Sequence, residues 1–292
     1  MSLDVELVRR LLEDQFPDWA GLPVRRVVPG GWDNRTFRLG DDLLVRLPSA
    51  DGYVAAVAKE QRWLPIIAAR VPFEVPEPVA LGAPTPEFPR PWSIYRWIDA
   101  VPAGDDGIQD LDGFARDVAR FLTALAGVDP TEGPEAGAHS FWRGAHPRFY
   151  HDEVQRSLAE LEGTIDTDAA RGVWDAALDT EITAPPVWFH GDVAPGNLLL
   201  RGGRLAAVID FGTSGVGDPA SDLAIAWTVF DDSARRAFRD GLPWDDDVWA
   251  RGRGWALWKA MLLMSGAAGS HDPAAEARKA RTVIERILGG VG

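Results

Sequence analysis

A chain of 292 residues that is 46% hydrophobic can bury a large core in one or two domains, which excludes disorder of the whole chain. It has no cysteine, which excludes disulfides, thiolate catalysis and cysteine-ligated zinc. Of its net charge of −14, residues 1–98 carry almost none (13 acids, 12 bases) and residues 99–292 nearly all (31 acids, 18 bases), a field that argues against a nucleic-acid partner.

The same field suits a cationic ligand and, equally, simple solubility. No apolar run is long enough to span a bilayer, and the first sixteen residues, MSLDVELVRRLLEDQF, read as an amphipathic helix rather than a signal peptide. A cytoplasmic protein without a membrane partner is expected.

From Val24 to Leu47 short apolar runs alternate with turn residues (VRRVV, PGGWDN, RTFRL, GDD, LLVRL), which predicts a meander of short strands. A helix is expected from Tyr53 to Ala69, kinked or broken at Pro65. Pro91 to Ile98 predicts a last strand running into a connector. Phe114, Val118, Phe121, Leu122 and Leu125 form one helical stripe within Asp112–Ala126. A second helix is expected over Pro147–Glu162, and the Gly-, Pro- and Glu-rich stretch between, Gly127–Ala145, is a long loop suited to a substrate rim. His139, His146 and His151 fall near it at spacings that match no zinc pattern, so surface or supporting roles are expected.

Beyond Ala224 the pattern is helical and rich in tryptophan: Trp227, Trp244, Trp249, Trp255 and Trp258. Core packing is the commoner use of such rings, and stacking on a sugar is the other. Asp231, Asp232, Asp245, Asp246 and Asp247 suit helix N-termini or an acceptor cleft.

The densest chemistry lies in Val187–Ala224, VWFHGDVAPGNLLLRGGRLAAVIDFGTSGVGDPASDLA. Asp192 and Asn197 share one short loop. The apolar run Leu205–Ile209 has the composition of a buried strand and delivers Asp210 to its end, followed by Phe211-Gly212. Phosphoryl transfer needs a group that orients the attacking hydroxyl, and oxygen ligands for a Mg²⁺ ion that keeps several waters. Asp192 suits the first task; Asn197 and Asp210 suit the second. His190 is expected to brace the loop by a hydrogen bond. Asp218, before Pro219, reads as a helix N-cap, and Asp218 and Asp222 as scaffolding that can also anchor the catalytic loop's backbone.

This order of motifs resembles the kinase-like phosphotransferases, and the His190-Gly191-Asp192 form is most similar to the aminoglycoside phosphotransferase family. The resemblance implies an α+β, two-lobed, protein-kinase-like fold. A small antiparallel sheet with a helix, residues 1–98, would bind nucleotide, and a larger, mostly helical lobe, residues 99–292, would hold the catalytic and substrate groups. It also implies ATP as donor, with GTP not excluded, and Mg²⁺ as cofactor.

By the same resemblance the turn containing Gly30, Gly31, Trp32, Asp33 and Asn34 covers the phosphates, and glycine lets backbone amides approach them. Arg46 stands where the family usually carries lysine; it would pair the α and β phosphates, oriented by Glu60. Adenine would dock on the main chain of Arg96, Trp97 and Ile98. No Ala-Pro-Glu segment follows Asp210-Phe211-Gly212, which argues against a polypeptide acceptor. A hydroxylated small molecule remains: an aminoglycoside or other antibiotic, or a choline-like amine or sugar. The alternative is a non-catalytic nucleotide-binding module in which Arg46 marks lost activity. Monomer and homodimer both stay open.

Overall fold

Asp4 caps the first helix, α1 (Val5–Gln15), by accepting the amide hydrogen of Leu7. Leu7, Val8, Leu11 and Leu12 then recur on one face, and that face is buried. This is how the chain begins in the computed structural model, which describes residues 3–28, 30–31, 33–104, 107–266 and 272–289.

α1 covers an antiparallel sheet of strands β1 (Val24–Arg26), β2 (Asn34–Leu39), β3 (Leu43–Pro48), β4 (Pro78–Gly82) and β5 (Trp92–Arg96), in the order β1-β2-β3-β5-β4. Alternation along β3 sends Leu43, Val45 and Leu47 into the cluster under α1, with Phe37, Trp92 and Ile94. Leu44 packs into the larger cluster instead, and Arg46 bonds to Glu60 of the next helix, α2 (Val54–Ala68). α2 covers nearly the span expected and is not broken at Pro65, which lies inside its last turn.

The larger cluster takes one side of α2, through Trp63, Leu64 and Ile67, and the remaining helices: α3 (Leu111–Ala126), α4 (His151–Glu160), α5 (Thr167–Leu178), α6 (Ile225–Thr228), α7 (Asp232–Asp240), α8 (Asp246–Met264) and α9 (Pro273–Leu288). α8 is buried on several sides, through Val248, Trp249, Trp255, Leu257, Trp258 and Met261, as befits a central helix. The tryptophans therefore serve the core: Trp227, Trp249, Trp255 and Trp258 are buried in it, and Trp244 is packed against it. Residues 147–162 form a short 3₁₀ turn, Pro147–Tyr150, followed by α4.

The acid surplus resides at helix N-termini. Asp110, Asp166, Asp231, Asp245 and Asp272 each accept a backbone amide at the start of α3, α5, α7, α8 and α9 respectively. Asp232, Asp246 and Asp247 lie in first turns.

Two small sheets carry the motif segment. One joins β6 (Val101–Pro102), β8 (Leu198–Arg201) and β9 (Arg204–Val208); the other pairs β7 (Val187–Phe189) with β10 (Gly215–Gly217). The β7–β8 and β9–β10 connections therefore emerge side by side. Among the described residues no helix is long and apolar enough to cross a membrane.

Candidate active site

β7 ends at Phe189, and the next residue, His190, is fully buried. Its Nδ1 accepts the amide hydrogen of Asp192 at 3.2 Å, and its Nε2 lies 3.0 Å from the carbonyl oxygen of Ile209. The imidazole is thus a brace between the two loops, as the sequence suggested. Gly191 takes φ +86°, and a Cβ there would meet the carbonyl oxygen of Thr213 at 2.8 Å. Both facts demand glycine between His190 and Asp192. The Asp222 carboxylate accepts the amide hydrogens of His190 and Gly191 at 2.7 and 2.6 Å. Burial pushes its carboxyl up to about 6, against the pull of His190 and those amides.

Asp192 is held at both oxygens. Asn197 Nδ2 donates to Oδ2 at 2.9 Å and to the Asp192 main-chain oxygen at 2.9 Å, and Lys259 Nζ donates to Oδ1 at 3.0 Å. Burial alone would raise this carboxyl, but Lys259 first, then His190 and Arg143, more than offset it and hold it below the usual range. The main-chain oxygen of Asn197 accepts from Ile209 at 2.9 Å, tying the Asp192 loop to the residue before Asp210. Asp210 itself is left-handed (φ 66°, ψ 68°), a conformation aspartate tolerates better than most residues.

Arg46 Nη2 donates to Asp210 Oδ1 at 3.1 Å, and Nη1 donates to Glu60 Oε2 at 3.1 Å. The Tyr95 hydroxyl also donates to Glu60. Burial opposes the charge on Arg46, but Glu60 and Asp210 override it and raise its pKa. A planar fork serves two carboxylates at once, so arginine fits a place where the family usually has lysine.

The phosphate-loop candidates fare differently. Asp33 is brought beside this cluster: burial first, then repulsion from Asp210, pushes its carboxyl up to about 6 against the pull of Arg46. Gly30 and Gly31 are exposed, and a Cβ at Gly31 would meet nothing within 4 Å, so the fold itself does not require glycine there. Asn34 is not a turn residue. It opens β2 and pairs with Pro48. Trp32 lies outside the described residues.

Of the three adenine candidates, Arg96 donates its amide to Glu77 O at 2.9 Å and Trp97 to Asp42 O at 2.7 Å. The amide of Ile98 has no main-chain acceptor among the described residues.

The donor set suits Mg²⁺. Asn197 Oδ1 and Asp210 Oδ2 have no hydrogen-bond partner among the described residues, and a carboxamide and a carboxylate are hard oxygen ligands of the kind that ion takes beside its waters. The histidines near residue 140 brace structure instead: His139 touches Lys59 and Glu135 O, His146 lies against Thr180 O, and His151 accepts from Trp174. Asp218 stands at the N-cap position of the 3₁₀ turn that Pro219 opens, and as scaffolding its carboxylate pairs with buried Arg251 at 2.7 Å, a partner its position before Pro219 did not suggest.

Sequence reasoning gave no role to Lys59 or Lys259. Lys59 Nζ donates to the main-chain oxygens of Gly212 and Ser214, both at 2.7 Å, and burial pulls it down to about 8 against Glu60 and Asp210. A signal was present: only three of the 30 basic residues are lysine, and two of them stand in this site.

The family model described as the phosphotransferase enzyme family matches residues 24–255. A curated aminoglycoside 3'-phosphotransferase of Escherichia coli is 38% identical over 64 residues, which span 22% of this chain and 24% of that protein. The GDP complex of wild-type aminoglycoside 2'-phosphotransferase-IIIa aligns with a TM-score of 0.71 at 18% identity, covering 99% of both chains. The apoenzyme of a macrolide 2'-phosphotransferase from Brachybacterium faecium aligns at 0.60 and 21% identity, covering 100% of this chain and 99% of that one. At such identities the likeness to these structures is one of fold, and it is an α+β fold with an antiparallel sheet toward the N-terminus and helices toward the C-terminus.

Proposed function

The chain belongs to the phosphotransferase enzyme family, and on that footing we propose that it transfers the γ-phosphoryl group of ATP to a hydroxyl of a small molecule. Residues 1–98 act as the nucleotide lobe and 99–292 as the catalytic and substrate lobe. The observation that carries this reading is the bridge from Glu60 through Arg46 to Asp210, beside an Asp192 whose second oxygen is fixed by Asn197.

The acceptor oxygen attacks the γ phosphorus, the bond from that phosphorus to the β–γ bridging oxygen breaks, ADP leaves, and the hydroxyl proton passes to Asp192. An ordinary carboxylate is a weak base, so Asp192 contributes mainly by aligning the nucleophile. Its depressed pKa keeps it ionised and able to accept the hydroxyl hydrogen bond. Arg46 braces the phosphate tail and the Ile98 amide receives the adenine. Asn197 and Asp210 would hold Mg²⁺, which would supply positive charge against the phosphates. The GDP in a relative of the same fold makes GTP the second donor to test.

The relatives' names point to antibiotic hydroxyls as acceptors, aminoglycosides and macrolides first. A non-catalytic nucleotide binder would have no use for an ionised Asp192 fixed at both oxygens. ADP or GDP release measured with Mg²⁺ and a panel of aminoglycosides, macrolides, choline and polyols tests the reading. Asp192→Ala should lower turnover by about 100-fold or more with nucleotide affinity nearly unchanged, whereas Asp210→Ala should also lose Mg²⁺-dependent nucleotide binding. Full turnover by the Asp192 variant would sink the assignment.

A further inference from the structure

Two cations share a small cavity with Asp192, the only acid that lines it among the described residues. Lys259 Nζ sits on Asp192 Oδ1, the oxygen that Asn197 does not take. The Arg143 guanidinium lies 5.0 Å from the centre of the Trp258 ring, donates one bond to the Phe141 carbonyl oxygen, and has no carboxylate within salt-bridge distance among the described residues. A run of rings leads outward from this spot. Trp258 stacks on Tyr150 at 4.3 Å, Tyr150 meets Phe149 edge-on, and Phe149 stacks on Trp142 at 4.1 Å, with Phe149 half exposed.

Resting on the phosphotransfer reading above, we propose that the acceptor is an anionic hydroxylated molecule with a flat apolar body, held by Arg143 and Lys259 and not a polycation. Any acceptor hydroxyl must reach an Asp192 oxygen, and Oδ1 is the one occupied by an ammonium rather than fixed by the loop. The side chains of the pair are partly exposed (39% and 36%), but Lys259 is also what offsets the burial of the Asp192 carboxylate, so it has to stay close to Asp192 when an acceptor enters. Once displaced, Lys259 stays at the mouth of the cavity, where it meets whatever group accompanies the hydroxyl. A carboxylate or phosphate there gains charge-assisted bonds from Lys259 and Arg143, whereas an ammonium meets two like charges.

A further observation supports a ligand at this place. Trp255 and Ser221 line the same cavity, and their Nε1 and Oγ are buried with no hydrogen-bond partner among the described residues. Buried polar atoms are rarely left so. The cavity measures about 20 Å³, so an acceptor enters only as Lys259 swings off Asp192. The acid surplus of residues 99–292 is a sum over the whole lobe, whereas the residues lining this cavity bring two cations and one acid.

Calorimetric titration of the full chain, without nucleotide, with three fragments of one size separates the possibilities: phenyllactate (anion), 3-phenylpropane-1,2-diol (neutral) and phenylalaninol (cation), with kanamycin as the polycation. Phenyllactate should bind about tenfold tighter than the diol, and phenylalaninol should bind weakest of the three. Lys259→Met combined with Arg143→Met should bring acid and diol to within about twofold, and Lys259→Glu should favour the cation. Tightest binding by phenylalaninol or kanamycin, or a ranking unchanged in the double variant, overturns the proposal. So does a Lys259→Met variant that slows turnover of every acceptor alike with acceptor affinities intact, which would put Lys259 on the transferred phosphoryl group. ADP release with the same fragments is the separate arm. If the charge ranking holds and no acceptor is ever phosphorylated, the phosphotransfer reading fails and the anion site stands.

Discussion

Asp222 Oδ1 accepts the amide hydrogen of Gly191 at 2.6 Å, a buried bond between residues 31 positions apart that sets the direction of the backbone entering Asp192. Its other oxygen takes the amide of His190, so one carboxylate satisfies two consecutive buried donors. Removing it leaves both unpaired. Asp222→Ala should therefore lower stability by about 2 kcal/mol or more and the melting temperature by roughly 4 °C or more. Turnover should fall in the same variant, while nucleotide affinity holds. The carboxyl has a folded pKa of about 6 against an ordinary 3.8, so its protonation favours folding. That contribution is full below 3.8 and is lost as pH rises through 6. Unfolding of the Asp222→Asn variant across pH 4–7 should lack that slope.

Arg46 joins two carboxylates on separate segments and is itself only slightly exposed, with Glu60 buried beside it. Arg46→Ala strands Glu60 in the core, an error on the order of 3–5 kcal/mol where no relaxation occurs. It should also weaken nucleotide binding at least about tenfold. Arg46→Lys keeps the charge without the fork, and it should retain most stability while weakening nucleotide binding less than alanine does. Denaturant midpoints and nucleotide titrations of the two variants check this. Equal nucleotide affinity in all three proteins would remove Arg46 from the phosphate site.

Lys59 ties α2 to the Asp210-Phe211-Gly212 segment through two main-chain oxygens. Its pKa is lowered to about 8, chiefly by burial, from an ordinary 10.5. Between those values the unfolded chain holds a proton that the folded one has released, so this group's contribution to stability rises as pH increases from 8 to 10.5 and is lost as pH falls through 8. Urea unfolding of the parent chain against Lys59→Met between pH 7 and 10 should show the difference. An identical pH slope in both proteins would refute it.

That Asp192, Asn197 and Asp210 come together was legible because they lie in one segment where apolar runs mark the strands and polar residues mark the turns between them. The small sheet was legible for the same reason, since period-two alternation in β2 and β3 is a local signal. Pro65 does not break α2, which packing through Trp63, Leu64 and Ile67 holds, and the strand register that claims Asn34 depends on Pro48 across the hairpin. Asp218 was placed correctly before its helical turn, but the buried arginine 33 residues later that it pairs with was not legible, because no local pattern announces so distant a partner.

By itself the sequence determined the groups on offer: a cation on an early strand, then a carboxylate, a carboxamide and a second carboxylate within one segment, with no thiol to compete. Tertiary structure alone decided which charges surround them. Lys259 reaches Asp192 across 67 positions, and Arg46 reaches Asp210 across 164. Such contacts follow from how α8 and β3 pack against the loops rather than from any local pattern. The same packing turns an acidic half-chain into a cationic mouth, because net charge is a sum over all residues and a binding site feels only those within a few ångströms.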